Sequence, residues 1–135
     1  MSVVVAHQAS ASGRLALQEA AKEATLRQTS MSVIHVPEGV DIDMIEEQRT
    51  SLRDEIAEVL QEVNLTDVDW TLNVNTGVDV AETVLDFIAD ADAEVLVVGA
   101  RRRSPVGKMI MGSVTQTIIL RAPVPVLVVK APPRR

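Results

Sequence analysis

The stretch Val95–Ser113, VLVVGARRRSPVGKMIMGS, decides how this chain folds. Its first four residues, Val95 to Val98, are apolar without polar alternation, as in a strand buried on both faces. Gly99 delivers that run to a turn. Gly112 with Ser113 then opens a helical pattern carried by Val114, Thr117 and Ile118. The first N–H groups of a helix have no intrahelical partner and carry the positive end of its dipole. Glycine lets an anion approach such a backbone closely, and serine can cap the helix or bond a phosphate oxygen. Three arginines, Arg101 to Arg103, and Lys108 lie between the two glycines. The stretch offers a resting place for something negatively charged.

Working outward towards the amino end, Val80, Val84, Phe87 and Ile88 recur at helical spacing, and that helix ends near Asp90 to Ala93. Asp79 with Glu82 makes its capping box, just after the Asn75-Thr76-Gly77 turn. A strand lies around Val68 to Val74. Before it, Asp41 to Val63 is helical through Ile45, Leu52, Ile56, Val59, Leu60 and Val63. Ser32 to Val36 reads as another strand, closed by the turn composition of Pro37-Glu38-Gly39. The chain starts with the β-branched strand Val3 to Ala6, then a helix placing Leu15, Ala16, Ala20 and Ala24 on one face.

Towards the carboxyl end, the helix from about Gly112 to Arg121 stops at Pro123, Val124 to Val129 is a last strand, and Ala131 to Arg135 is a loose tail. Five strands alternating with four helices predict one α/β domain over 1–135, with a five-stranded, mostly parallel sheet and helices on both faces. Pro125 cannot donate a ladder hydrogen bond, so the last strand belongs at an edge or pairs through its other residues. An apolar edge is a liability that pairing with a second copy removes, so a homodimer through Val124–Val129 is expected.

Composition narrows the function. The chain has 135 residues, 47% of them apolar, which suits one globular domain, and no apolar run of membrane-spanning length. The start, MSVVVAHQ, lacks the basic region of a signal peptide, and there is no cysteine, which removes thiol chemistry and fits a cytoplasmic location. A net charge of −6 and only 1% aromatic residues (Trp70 and Phe87) argue against nucleic acid as a partner. No serine–histidine–acid constellation, nucleophile elbow or zinc-like spacing is present. Gly107-Lys108 lacks the earlier glycine and the hydroxyl residue of a phosphate-loop ATPase. No residue stands out as a catalytic base, so no enzyme activity is expected, with weak ATP hydrolysis as a third reading.

The assembled residues resemble the universal stress protein family over essentially the whole chain. The resemblance is carried by the Val-rich first strand, Val33-Ile34-His35-Val36, the Gly77 turn, Val97-Val98-Gly99, Gly112-Ser113 and the closing Pro123 to Val129. Nucleotide-binding members of that family share a glycine, two residues, a second glycine, nine residues, then glycine and serine or threonine. Gly99 and Gly112-Ser113 match at that spacing, while the middle glycine is Arg102. The resemblance implies the flavodoxin-like strand order 3-2-1-4-5 with two helices on each face, and a crevice where strands 1 and 4 diverge at their carboxyl ends. It implies an adenine nucleotide, ATP with Mg, as ligand. Adenine would meet Ala6, His7, Gln8, Val36 and Val98. Ribose and phosphates would meet Gly99, Arg102, Arg103, Gly112, Ser113 and Val114.

Two residues depart from the family pattern. Gln8 stands where an aspartate is common, and Arg102 replaces the middle glycine. If that position needs a positive φ, arginine there is strained or the loop takes another course. Its guanidinium could instead supply a phosphate contact. A nucleotide-free dimeric interaction module of the same fold, and a plain solvated basic loop, stand as alternatives. Gly99 and Gly112-Ser113 also suit a strand end and a helix cap without any ligand. His35 reads as structural, Trp70 as strand packing, and Arg101–Pro105 as a short match to a basic phosphorylation pattern centred on Ser104.

Overall fold

A computed structural model describes residues 1–8, 10–37, 41–102, 109–110 and 112–131, with the backbone alone at 101, 102, 109 and 110. Arg103, Ser104, Lys108 and the tail beyond Ala131 lie outside the described residues. The elements in chain order are β1 (Ser2–Ala6), α1 (Ala11–Leu26), β2 (Ser30–His35), α2 (Ile45–Glu62), β3 (Trp70–Val74), α3 (Val80–Asp90), β4 (Ala93–Arg102), β5 (Met109–Ile110), α4 (Ser113–Arg121) and β6 (Val126–Lys130). A short 3-10 turn, Ile42–Met44, leads into α2.

The parallel ladders run β3-β2-β1-β4-β6, which is the expected order 3-2-1-4-5 once β6 is counted as the fifth parallel strand. The central strands β1 and β4 have two buried faces, which is why Val3–Ala6 and Val95–Val98 show no polar alternation, whereas β3 and β6 at the edges are only partly buried. Val3 and Val5 of β1, Met31 and Val33 of β2 and Val97 of β4 pack under α1 and α2. Val4, Ala6, Ile34, Leu96 and Val98 pack instead under α3 and α4, against Val84, Ile88 and Ile118. Two helices therefore cover each face. β6 pairs only with β4 and is an edge. Pro125 sits just outside it, where its carbonyl accepts from the Leu96 N–H at 2.9 Å.

Local chemistry sets the helix starts. Ser10 caps α1, its Oγ accepting from the Gly13 N–H at 3.1 Å, and Asp79 caps α3 by accepting from the Glu82 N–H at 3.1 Å. The reciprocal half of the predicted capping box is absent, because the Glu82 carboxylate pairs with Arg121 at the end of α4. Glu82 thereby clamps the two helices on that face together.

Three expectations are corrected. The α1 core residue is Leu17, fully buried, while Leu15 is half-buried, because Ala16, Ala20, Ala21 and Ala24 turn the helix face by one position. The fourth strand does not end at Val98. It continues through Gly99, paired with Val129, and Ala100, paired with Lys130, to Arg102. Beyond that pairing β5 returns antiparallel, Arg101 opposite Ile110 and Arg102 opposite Met109. Gly99 is thus a strand residue and not a turn. A Cβ at Gly99 would lie 2.6 Å from the Ser12 carbonyl oxygen, so the first turn of α1 presses directly on β4 there. Glycine at 99 is required by that close packing.

Candidate functional site

The carboxyl ends of β1, β2 and β4 meet the amino ends of α1 and α4, as they must in a parallel sheet with right-handed crossovers. Strand alternation then divides neighbours. Ala6, at the end of β1, Val36, just past β2, Val98 of β4 and Val114 of α4 all belong to the apolar cluster on the α3/α4 side. Gln8 joins them there, its side-chain amide donating to the Thr115 hydroxyl of α4 in a long 3.5 Å bond. This brings together five of the residues singled out for the crevice.

Gly112 and Ser113 form its rim. Gly112 precedes α4 with φ −65° and ψ 160°, is exposed, and provides no side-chain cap, so among the described residues no side chain caps the first N–H groups of α4. A Cβ there would meet no atom within 4 Å. Among the described residues neither conformation nor packing calls for glycine at 112, unlike at 99. The first turn of α4 also holds no acidic residue, leaving the positive dipole end unopposed. Arg102 is extended in β4 and its backbone pairs with Met109, so it replaces the motif glycine inside a hairpin. Arg103 lies outside the described residues.

His7 goes elsewhere. Its side chain, 1% exposed, points to the α1/α2 side, where its Nδ1 is 3.1 Å from His35 Nδ1 and its Nε2 is 3.3 Å from Glu55 Oε2 on α2. The rings meet edge to face with centroids 5.1 Å apart. His7 can therefore touch a ligand in the crevice only through its backbone. Burial holds both imidazoles below their ordinary range. Glu55 partly offsets this for His7, while His35 is depressed to about 4, with the charge of His7 adding to the effect. His35 Nε2 is buried and has no hydrogen-bond partner among the described residues, as is Gln48 Oε1 on α2.

Glu55 and Thr115 were not singled out from sequence. A signal for Glu55 existed, since it sits beside Ile56 within the stripe Leu52, Ile56 and Val59 that α2 buries. Thr115 carried none, because its role depends on where Gln8 falls. No group of three or more metal-ligating side chains occurs among the described residues, and no described helix is long and apolar enough to cross a membrane. A cavity at the opposite end of the sheet is lined by Gln28, Asn64, Asp67 and Asp69 beside the carbonyl ends of α1 and α2. Its acidic character makes it the wrong place for a phosphate.

Residues 1–130 match the family model described as the Universal stress protein family. A protein named "Universal stress protein" from Mycolicibacterium smegmatis is 36% identical over 128 residues, covering 95% of this chain and 96% of that one. The structure of a universal stress protein from Archaeoglobus fulgidus superposes with a TM-score of 0.76 at 30% identity, over 96% of this chain and 98% of that chain. Another structure of the Archaeoglobus fulgidus universal stress protein, in complex with dAMP, superposes with a TM-score of 0.75 at 25% identity and the same coverage.

Proposed function

We propose, for a chain that belongs to the universal stress protein family, that it binds an adenine nucleotide on the α3/α4 side of the sheet and acts as a cytoplasmic stress regulator through that binding. The base would lie against Ala6, Val36 and Val98, with backbone contacts from His7 and a side-chain contact from Gln8. The phosphates would lie at Gly112, Ser113 and Val114, and those of ATP with Mg would extend towards Arg102 and Arg103. Binding, not turnover, is the activity, and no residue is assigned as a base. A second copy would pair through the β6 edge.

The observation that carries this reading is Gly112. It is a glycine at a helix start that no described side chain caps, and nothing among the described residues requires it to be one. Room left for close approach of an anion is a reason from outside the chain. The dAMP complex of the relative supports the ligand class.

The β4–β5 hairpin favours a second reading, a dimeric interaction module that has given up nucleotide, because Arg102 is committed to an extended ladder where the motif has glycine. Calorimetric titration of nucleotide-stripped protein with Mg-ATP, and with AMP in comparison, separates the two. Affinity in the micromolar range that weakens with AMP supports the first reading. No heat up to about millimolar ATP, roughly −4 kcal/mol of binding, supports the second.

A further inference from the structure

We propose that His7 and His35 form an acid-sensitive latch that ties the carboxyl ends of β1 and β2 together and so controls the crevice on the other face of the sheet. The control of ligand affinity rests on the nucleotide reading above, whereas the latch itself does not.

The two residues are the only histidines in the sequence. The parallel register places them together, since Ala6 stands opposite Ile34 and the His7 N–H donates to the Ile34 carbonyl at 2.9 Å. They meet at the end of the β1–β2 ladder, where the His7 N–H makes its last backbone bond and the two side chains continue the link between the strands.

Proton positions follow from Glu55. An ionised carboxylate only accepts, so His7 carries its proton on Nε2 and donates it to Glu55. His7 Nδ1 is then a lone pair, so His35 must donate to it from its own Nδ1. His35 Nε2 is left as a bare lone pair, which is tolerable for a buried nitrogen without a partner. Every proton added to this arrangement breaks something. The first places an N–H on His35 Nε2, a buried donor with no acceptor among the described residues. The second sets two N–H groups head to head across 3.1 Å. Opening the latch puts both rings in water, where each accepts a proton freely.

Among the described residues no other charged side chain relieves this. On α1, Arg14 is held by Glu58 and Glu62 of α2 at 3.5 and 2.8 Å. β3 contributes no titratable residue across Trp70–Val74. On β4, Glu94 lies at the far end of the strand, bonded to Arg27 at 2.7 Å. The depressed titration of both rings is what this geometry requires. The next residues along each strand, Gln8 and Val36, line the crevice, so parting the rings moves the residues that would hold the base.

Nitrogen-15 NMR of the imidazoles tests the latch without any ligand. At neutral pH the expected pattern is protonated His7 Nε2 and His35 Nδ1, with His7 Nδ1 and His35 Nε2 bare. Between about pH 6.5 and 4, amide protection at Gln8 and Val36 should fall about tenfold or more relative to Leu96, and His7→Val should abolish that acid response. Glu55→Gln, which keeps the volume, should move the opening to higher pH, because it removes the carboxylate that stabilises protonated His7 within the closed pair. AMP titrated at about pH 7.5 and about pH 5 should lose roughly tenfold in affinity with acid in the parent and little in His7→Val. If AMP binds at neither pH, the nucleotide reading fails and the latch is decided by the ring and amide data alone. Two rings that titrate independently near 6.5, with flat protection at Gln8 and Val36, would overturn it.

Discussion

At the carboxyl edge of the sheet, the side covered by α1 and α2 is closed and the side covered by α3 and α4 is open, although both are built from the same strand ends. His7 and His35 turn inward to Glu55 on the closed side, with His7 almost wholly out of solvent. Their chain neighbours Gln8 and Val36 turn to the open side, towards an uncapped helix start at Gly112. Alternation along a strand sends adjacent residues to opposite environments. One face thus spends its polar groups on each other, and on the other no described side chain caps the first backbone donors of α4. A ligand site needs such free donors, while a stable strand junction needs them occupied.

The two motif glycines give the largest test of this contrast. Gly99→Val forces a side chain into Ser12 of α1 and should cost about 1–3 kcal/mol or more, measured by denaturant unfolding. The matching change at the rim, Gly112→Val, places a Cβ within 4 Å of no described atom and should alter stability by less than about 0.5 kcal/mol. If both variants unfold at the same denaturant concentration, the contrast between a packed and an open glycine is wrong.

Acid should act on the closed side. The folded-state titration of His35 is depressed to about 4 from an ordinary 6.5, so the unfolded chain binds more protons between those values. Stability is therefore full above about pH 6.5 and falls as pH drops towards 4, by an amount on the order of 1–3 kcal/mol. Thermal melts of the parent and His7→Val across that window show whether the fall belongs to the histidine pair. A parallel decline in both would assign it elsewhere.

The cap of α1 lies between the two sides. Ser10→Ala removes the Oγ that accepts from the Gly13 N–H and should cost about 1 kcal/mol, read from the shift in denaturation midpoint. The smallest change in stability should come with the clearest change in function. Gly112→Val should weaken nucleotide by tenfold or more, about 1.4 kcal/mol, with its fold intact. Unchanged calorimetric affinity in that variant would remove Gly112 from the site.

Much of the fold was legible in the sequence. Uninterrupted Val-rich runs such as Val3–Ala6 and Val95–Val98 can only be strands buried on both faces, and Pro125 cannot donate into a central ladder. The end of β4 was not legible. Gly99 carries the composition of a turn, but the approach of α1 decides that it stays in the strand. Leu15 and Leu17 are equally apolar, and only helix rotation against the sheet picks Leu17. Within the site, Gly112-Ser113 could be read as a helix start from local chemistry alone. The destination of His7 could not, because a residue at the end of a strand has two faces to choose from.

By itself the sequence determined the order of the five parallel strands and four helices along the chain and, through a family resemblance, the order of the parallel sheet, because periodicity and turn chemistry act over a few neighbouring residues. Tertiary structure alone decided which of those residues meet. His7, His35 and Glu55 are 28 and 48 positions from their partners in the chain, and Gln8 and Thr115 are 107 apart. Contacts over such separations are fixed by strand register and helix packing, and no local pattern in the chain encodes them.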